Sequence, residues 1–216
     1  MNKIFFPRKA ALFPALLLVV LLAAGCSIVS QADPLAIFTL RTPVPDLALC
    51  ETAMPEQLIV TLPEAGNGLK TDRIALLFDQ REIKYLAGTR WDAATPALIQ
   101  RQLVRYIEAT GCFRGVGAEG AGLASRYRLQ SDLQRLHLCY SGEDAVPVAQ
   151  ITLRLTLLDL DSGAVIGSKT VHFEEKAAGS EVPRLMDSMD NVTYRAMLDA
   201  ARWTAFTARE HTGSKK

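Results

Sequence analysis

Apolar side chains recur along this chain in two rhythms, and each rhythm predicts its own kind of element. Ile151, Leu153, Leu155 and Leu157 alternate with Thr152, Arg154 and Thr156. Such alternation is what a strand with one buried and one wetter face requires. The same rhythm runs from Arg126, with Tyr127, Leu129 and Leu133 on one face and Arg126, Arg128, Gln130 and Asp132 on the other. Its phase slips before Leu136 and Leu138, which predicts a bulge near Gln134. Further on, the turn residues Asp161-Ser162-Gly163 lead into Val165, Val171 and Phe173. These three runs predict an antiparallel meander.

Elsewhere the apolar positions fall three or four residues apart. Ile99, Leu103, Tyr106, Ile107 and Thr110 form one helical stripe, opened by Thr95-Pro96 and closed by Gly111. Thr95 is expected as N-cap, Pro96 at N1 and Gly111 as C′. Between residues 181 and 209, Val182, Leu185, Met189, Val192, Ala196, Ala200 and Trp203 mark a second stripe. Asp187, Asn191, Arg195, Asp199 and Arg202 hold its opposite face. This Met and Trp stripe is read as core packing rather than as a ligand groove. Short apolar runs at 36–40, 57–62, 83–86 and 113–116 predict strands. Pro43 and Pro45 hold the chain extended after the first, and residues 64–68 are a turn cluster. The unbroken apolar run 73–78 predicts a central strand covered on both faces. A helix flanked by strands implies one crossover. The fold class expected is α/β: a mixed, largely antiparallel sheet packed with two long helices.

Ahead of all this lies a different pattern. Lys3, Arg8 and Lys9 precede an apolar block from Ala10 to Leu22, followed by Ala23-Ala24-Gly25-Cys26. This is the layout of a secretory signal. The block is interrupted by Pro14 and falls short of the ~20 apolar residues of a membrane span. Its last four residues resemble a bacterial lipobox, in which the cysteine thiol takes a diacylglyceryl group and cleavage precedes it. A small residue is needed there because the peptidase must fit the backbone closely, and the thiolate is the nucleophile toward the lipid. The expected organisation is a signal peptide over 1–25, a lipidated tether over 26–34, a domain over 35–209 and a disordered tail over 210–216. Several acyl chains anchor stably where one is marginal. Ser27, rather than Asp, follows the cysteine. In lipoprotein sorting that favours the outer membrane of a Gram-negative cell, facing the periplasm.

A chain starting at Cys26 has roughly 190 residues, a length that suits one domain with its own core. The whole chain holds 24 basic and 23 acidic residues; the leader removes three basic ones and no acid. The near-neutral remainder has no electrostatic footprint for nucleic acid. Cys50, Cys112 and Cys139 remain, and both a disulfide with one orphan and three buried thiols stay open. No C-x-x-C pair indicates zinc or a redox dithiol.

Gly115-Val116-Gly117-Ala118-Glu119-Gly120 fits G-x-G-x-x-G but is followed by strand alternation, not by a helix to receive a pyrophosphate. It is read as a flexible loop. Asp159 to Gly163 imitates the start of a calcium loop, yet the glycine falls early and Thr170 takes the place of the last ligand. A hairpin turn is the simpler reading. His137, His172 and His211 lie far apart, with His172 expected on a strand surface. No serine occupies a G-x-S-x-G elbow. The sequence therefore points to no cofactor, no metal and no enzyme.

Several stretches together resemble the ABC-type transport auxiliary lipoprotein family, which includes PqiC-type lipoproteins. They are Leu58-Ile59-Val60, 69–76 with Asp72-Arg73-Ile74, 85–91 with Arg90-Trp91, Tyr127-Arg128-Leu129 and 155–159. The most specific is the pairing of Asp72-Arg73-Ile74 with Arg90-Trp91. The resemblance implies an α/β domain similar to the N-terminal domain of TolB. It also implies a role beside an MCE-type lipid transport system. The partners would be a periplasmic MCE-domain protein and an inner-membrane transporter component, with the lipoprotein on the outer-membrane side. A homo-oligomer is left open. No catalytic residues come with the family, and the three further cysteines depart from it. At the matched positions, Asp72 and Arg73 are expected to form a local ion pair or turn. Trp91 is expected to pack the helix start against the sheet. Two rivals remain: an envelope scaffold or assembly lipoprotein, and a periplasmic hydrolase with a dispersed site.

Overall fold

The two rhythms become a mixed sheet and two helices in a computed structural model that describes residues 35–44, 46–142 and 145–214. In chain order its elements are β1 (Ala36–Phe38), β2 (Met54–Val60), β3 (Glu64–Ala65), β4 (Ala75–Phe78), β5 (Glu82–Tyr85) and β6 (Thr89–Trp91). Then come α1 (Thr95–Glu108), β7 (Phe113–Ala118), β8 (Tyr127–Tyr140), β9 (Val148–Asp159), β10 (Ala164–Lys176) and α2 (Val182–Gly213). Cys26, Ser27, the leader and the tether lie outside the described residues.

The frame is the antiparallel meander β8–β9–β10, in which Leu153 stands opposite both Leu133 and Val171. The register shifts between Leu133 and Arg135, at the predicted bulge. The extra residue returns Leu136 opposite Ile151 and Leu138 opposite Ala149, so the buried face continues. Without it, every later side chain would swap faces. β8 is long enough to take three parallel neighbours in turn: β2 at its start, β3 near its middle and β4 at its end. β2 also pairs in parallel with β7. A parallel pair needs a crossover, and α1 lies in it.

Both helices cover one face. α2 packs on β8, β9 and β10, α1 packs on β2 and β7, and the helices touch each other. Leu129, Leu133, Leu153, Leu155 and Leu157 are fully buried there with Met189, Met197 and Ala200. Each such leucine contributes about 1.5–3 kcal/mol over its exposed state, so the side chains of this layer outweigh any single surface contact.

Four expectations need correction. The apolar run 73–78 is not wholly a covered strand: β4 starts only at Ala75, lies between the far end of β8 and β5, and leaves Leu77 and Phe78 partly exposed. Its apolar residues finish the sheet end instead, where the Phe78 ring stacks on Tyr140 at 4.8 Å. Thr95 is not the N-cap but the first helical residue after Ala94, and its hydroxyl donates to the Thr71 carbonyl at 3.0 Å. Gly115 and Gly117 belong to β7, not to a loop; a Cβ on Gly117 would meet Leu123 Cδ1 at 2.8 Å. Finally, α2 does not stop at Arg209 before a disordered tail but continues through 210–213. The Tyr127 hydroxyl and Thr212 Oγ1 share a hydrogen bond at 2.8 Å that fastens this last turn.

The segment before β2 is held at several points. β1 pairs in parallel with β6. Beyond it, Thr42 Oγ1 donates to Gln102 at 2.9 Å, Tyr106 donates to the Pro43 carbonyl at 2.8 Å, and Arg41 pairs with Asp187 and Asp190 of α2. A disulfide joins Cys50 to Cys112, and Cys139 is a free, buried thiol. That settles the cysteine question as one bridge and one orphan.

Candidate functional site

The two most specific sequence stretches meet in space. β6 lies against the loop before β4, so that the Trp91 N–H donates to the Asp72 carbonyl at 2.7 Å. The Arg90 guanidinium stands 3.9 Å from the Asp72 carboxylate. Of the local ion pair or turn expected at Asp72 and Arg73, the structure forms the bend, over residues 70–73, and the Arg73 guanidinium lies over the Tyr85 ring at 3.8 Å. The reason is reach: Asp72 faces β6, whereas Arg73 points along the β5 side. Trp91 is 2% exposed and belongs to the core. Asp72 and Arg90 are each 44% exposed, so their pairing is worth at most ~1 kcal/mol. This cluster joins the start of α1 to the sheet.

A polar cleft of about 830 Å³ opens where the sheet is interrupted. β2 ends at Val60 and β3 begins at Glu64, which leaves Gln130 and Ser131 of β8 without a strand neighbour on that side. Its walls are the arch 61–64, the first turn of α1 and the polar face of β8 and β9. The α1 terminus has no free donors to offer. Its Thr95 N–H goes to Thr71 O, its Ala97 N–H goes to Ala94 O, and Pro96 has none. The unpaired groups are side chains: Arg128 Nε and Ser131 Oγ are buried and have no hydrogen-bond partner among the described residues.

A third feature escaped the sequence reading. Asp159 is fully buried and accepts from Arg126 at 3.5 Å and pairs with His211 Nε2 at 2.9 Å. Arg126 also reaches Glu56 at 3.1 Å and Asp161 at 3.4 Å. The group ties β2, the β9–β10 turn and the end of α2 together. Its signal was present, because Asp159 falls in the buried phase of 151, 153, 155 and 157.

The remaining candidates separate. His172 lies on the strand surface, bonded to Thr152 at 2.9 Å. His137 is 5% exposed with neither ring nitrogen bonded among the described residues. Burial and the Arg135 charge push its pKa down to about 4. Trp203 is half-buried, and Phe206 beside it is 62% exposed, bordering an apolar groove of about 460 Å³ next to the disulfide. Among the described residues no three metal-donor side chains gather, and no helix is long and apolar enough to cross a membrane.

A sheet backed on one face by two helices, interrupted by a polar cleft, defines a small mixed α/β domain. The chain belongs to the ABC-type transport auxiliary lipoprotein family, whose profile matches residues 38–201. It is thus a lipoprotein component auxiliary to transport. A crystal structure from Xanthomonas campestris, assigned to the DUF330 family, superposes with a TM-score of 0.75 at 21% identity. The match covers 82% of this chain and 99% of that one. A second solved structure, of an uncharacterized protein, reaches a TM-score of 0.60 at 15% identity over 79% of this chain and 98% of the other. At these identities the likeness establishes the fold. A search of curated proteins gives no match.

Proposed function

We propose that this protein is a non-catalytic, lipid-anchored auxiliary component of a Pqi-like, MCE-type system that moves lipid between membranes and maintains the envelope. The observation that carries this reading is a lipobox-like Ala23-Ala24-Gly25-Cys26 directly ahead of a domain of the transport auxiliary family. In this reading residues 1–25 are removed, Cys26 carries the lipid, and Ser27 directs the protein to the periplasmic face of the outer membrane. The tether up to residue 34 reaches at most ~25–30 Å when extended. The domain then works close to its membrane, and a periplasmic MCE-domain protein covers the distance to the inner-membrane transporter component.

The test is crosslinking in cells followed by pull-down, with deletion of the gene alongside. The MCE-domain protein is expected in the crosslinked product, and the deletion strain is expected to lose resistance to detergents. If neither occurs, the transport reading falls. Turnover of generic ester or phosphate substrates by the purified chain would overturn its non-catalytic part.

A further inference from the structure

The apolar groove beside the disulfide lies along the C-terminal half of α2. Leu49, the Cys50–Cys112 bridge, Trp203 and Phe206 supply its apolar lining. Phe206 is 62% exposed and Leu49 43% exposed, so the groove is open to solvent. Its lining is held in place. The disulfide ties the Leu49 side to the start of β7, and Lys169 of β10 donates to Asp199 of α2 at 2.6 Å. Trp203 lies close against Gly167 of β10, where a Cβ would come within 3.2 Å of its ring. A site already in its bound shape loses little freedom when a ligand enters.

The charges in the lining decide the kind of ligand. Lys169 and Asp199 neutralise each other, which leaves Arg202 and Arg209. Arg202 is exposed and has no hydrogen bond or ion pair among the described residues. Arg209 is also exposed and donates to Cys50 Sγ at 3.7 Å, with no carboxylate among its described partners. The exposed acids next in sequence, Glu51 and Glu210, are not part of the lining. Arg202, Phe206 and Arg209 follow each other at intervals of four and three, so the aromatic ring stands between two cations on one stripe of the helix. The groove thus offers apolar surface, two cationic donors and no free acceptor.

An extended peptide would bury N–H groups that find no acceptor there. An inorganic anion would leave the aromatic surface wet. The groove holds about 460 Å³, inside the range of roughly 300–1,000 Å³ typical of small-molecule sites. From Asp199 to Arg209 it follows α2 for about 15 Å. That shape takes one flexible apolar chain, and the two guanidinium groups take one anionic end through forked hydrogen bonds.

We propose that this groove is a fatty-acid site. The acyl chain lies on Trp203, Phe206, Leu49 and the disulfide, and its carboxylate accepts from Arg209 and Arg202. The site stands on this geometry and not on the transport reading above.

The test reads Trp203 directly. The chain has two tryptophans, and Trp91 is sealed in the core at 2% exposure. The full chain in maltoside micelles is titrated with bromoundecanoate, whose heavy atom quenches an indole that it touches, and in parallel with the uncharged methyl ester. Saturable quenching is expected, lost in Trp203→Phe, with the ester binding at least tenfold more weakly. Arg202→Met combined with Arg209→Met is expected to weaken binding of the acid at least tenfold at an unchanged melting temperature. Phe206→Ala is expected to weaken acid and ester alike, several-fold. Acid and ester binding equally, binding unchanged in the double variant, or quenching that persists in Trp203→Phe overturns the proposal. So does an oligomer that excludes the probe until Phe206→Ala dissociates it, because a second copy of the chain then fills the groove. Failure to pull down the MCE-domain protein with fatty-acid binding intact removes the transport reading alone, and the reverse result removes this site alone.

Discussion

The main-chain carbonyl of Asp72 accepts the Trp91 N–H at 2.7 Å, so β6 is anchored to the loop that launches β4. The indole that follows from this placement is 2% exposed. Trp91→Ala is therefore expected to cost ~3–5 kcal/mol, the range for deleting a large buried aromatic. Arg90→Ala should cost less than ~1 kcal/mol, because its ion pair is nearly half exposed. Urea denaturation of the two variants would separate them, and equal losses would contradict the assignment.

His137 sets an acid sensitivity. Its folded pKa of about 4 lies below the ordinary histidine value of 6.5. The neutral ring is thus what the fold accepts, and stability is full above pH 6.5 and declines as pH falls toward 4. By pH 5 this one group should remove ~2 kcal/mol. His137→Leu should match the parent at pH 7.5 and melt at a higher temperature than it at pH 5. A constant difference between the two across that range would count against the assignment.

The end of α2 is expected to behave as part of the core. A chain cut after Arg209 lacks His211 and Thr212, which bond Asp159 and Tyr127. It should be measurably less stable than the full chain and open first at this end in hydrogen exchange. Asp159→Ala should cost ~1–3 kcal/mol, since His211 loses its partner while Arg126 keeps Glu56 and Asp161. A truncation with an unchanged melting curve would restore the reading of residues 210–214 as a loose tail.

The anchor is tested chemically. Cys26→Ser should abolish incorporation of labelled fatty acid and leave an uncleaved or soluble precursor, because a hydroxyl lacks the thiolate that takes the lipid. Ser27→Asp should move the protein toward inner-membrane fractions on a sucrose gradient. Label retained in the serine variant would remove the lipidation assignment.

What the sequence revealed, it revealed through periodicity. The phase slip before Leu136 placed the bulge, and the stripes at Ile99–Tyr106 and Leu185–Ala200 placed both helices, because each records which side of one element is buried. Contacts between distant stretches leave no such record. Nothing in the order of residues says that Asp72 meets Arg90 rather than Arg73, or that Cys50 rather than Cys139 bonds Cys112. An apolar run such as 75–78 looks the same at the centre of a sheet and at its end. The polar cleft was hidden for a related reason: it is made by the absence of a strand neighbour at Gln130 and Ser131, which a one-dimensional pattern cannot display.

The bond between Cys50 and Cys112 also has a mechanical meaning. A pull applied at residue 35 would first shear the short β1–β6 pairing, then strip Arg41, Thr42 and Pro43 from the helices one contact at a time. At Cys50 the load passes through a covalent link to Cys112, at the root of β7, and no longer peels the chain residue by residue. A tethered domain built this way can yield along its first fifteen or so residues, like a short spring, while the sheet with its cleft stays in register under tension.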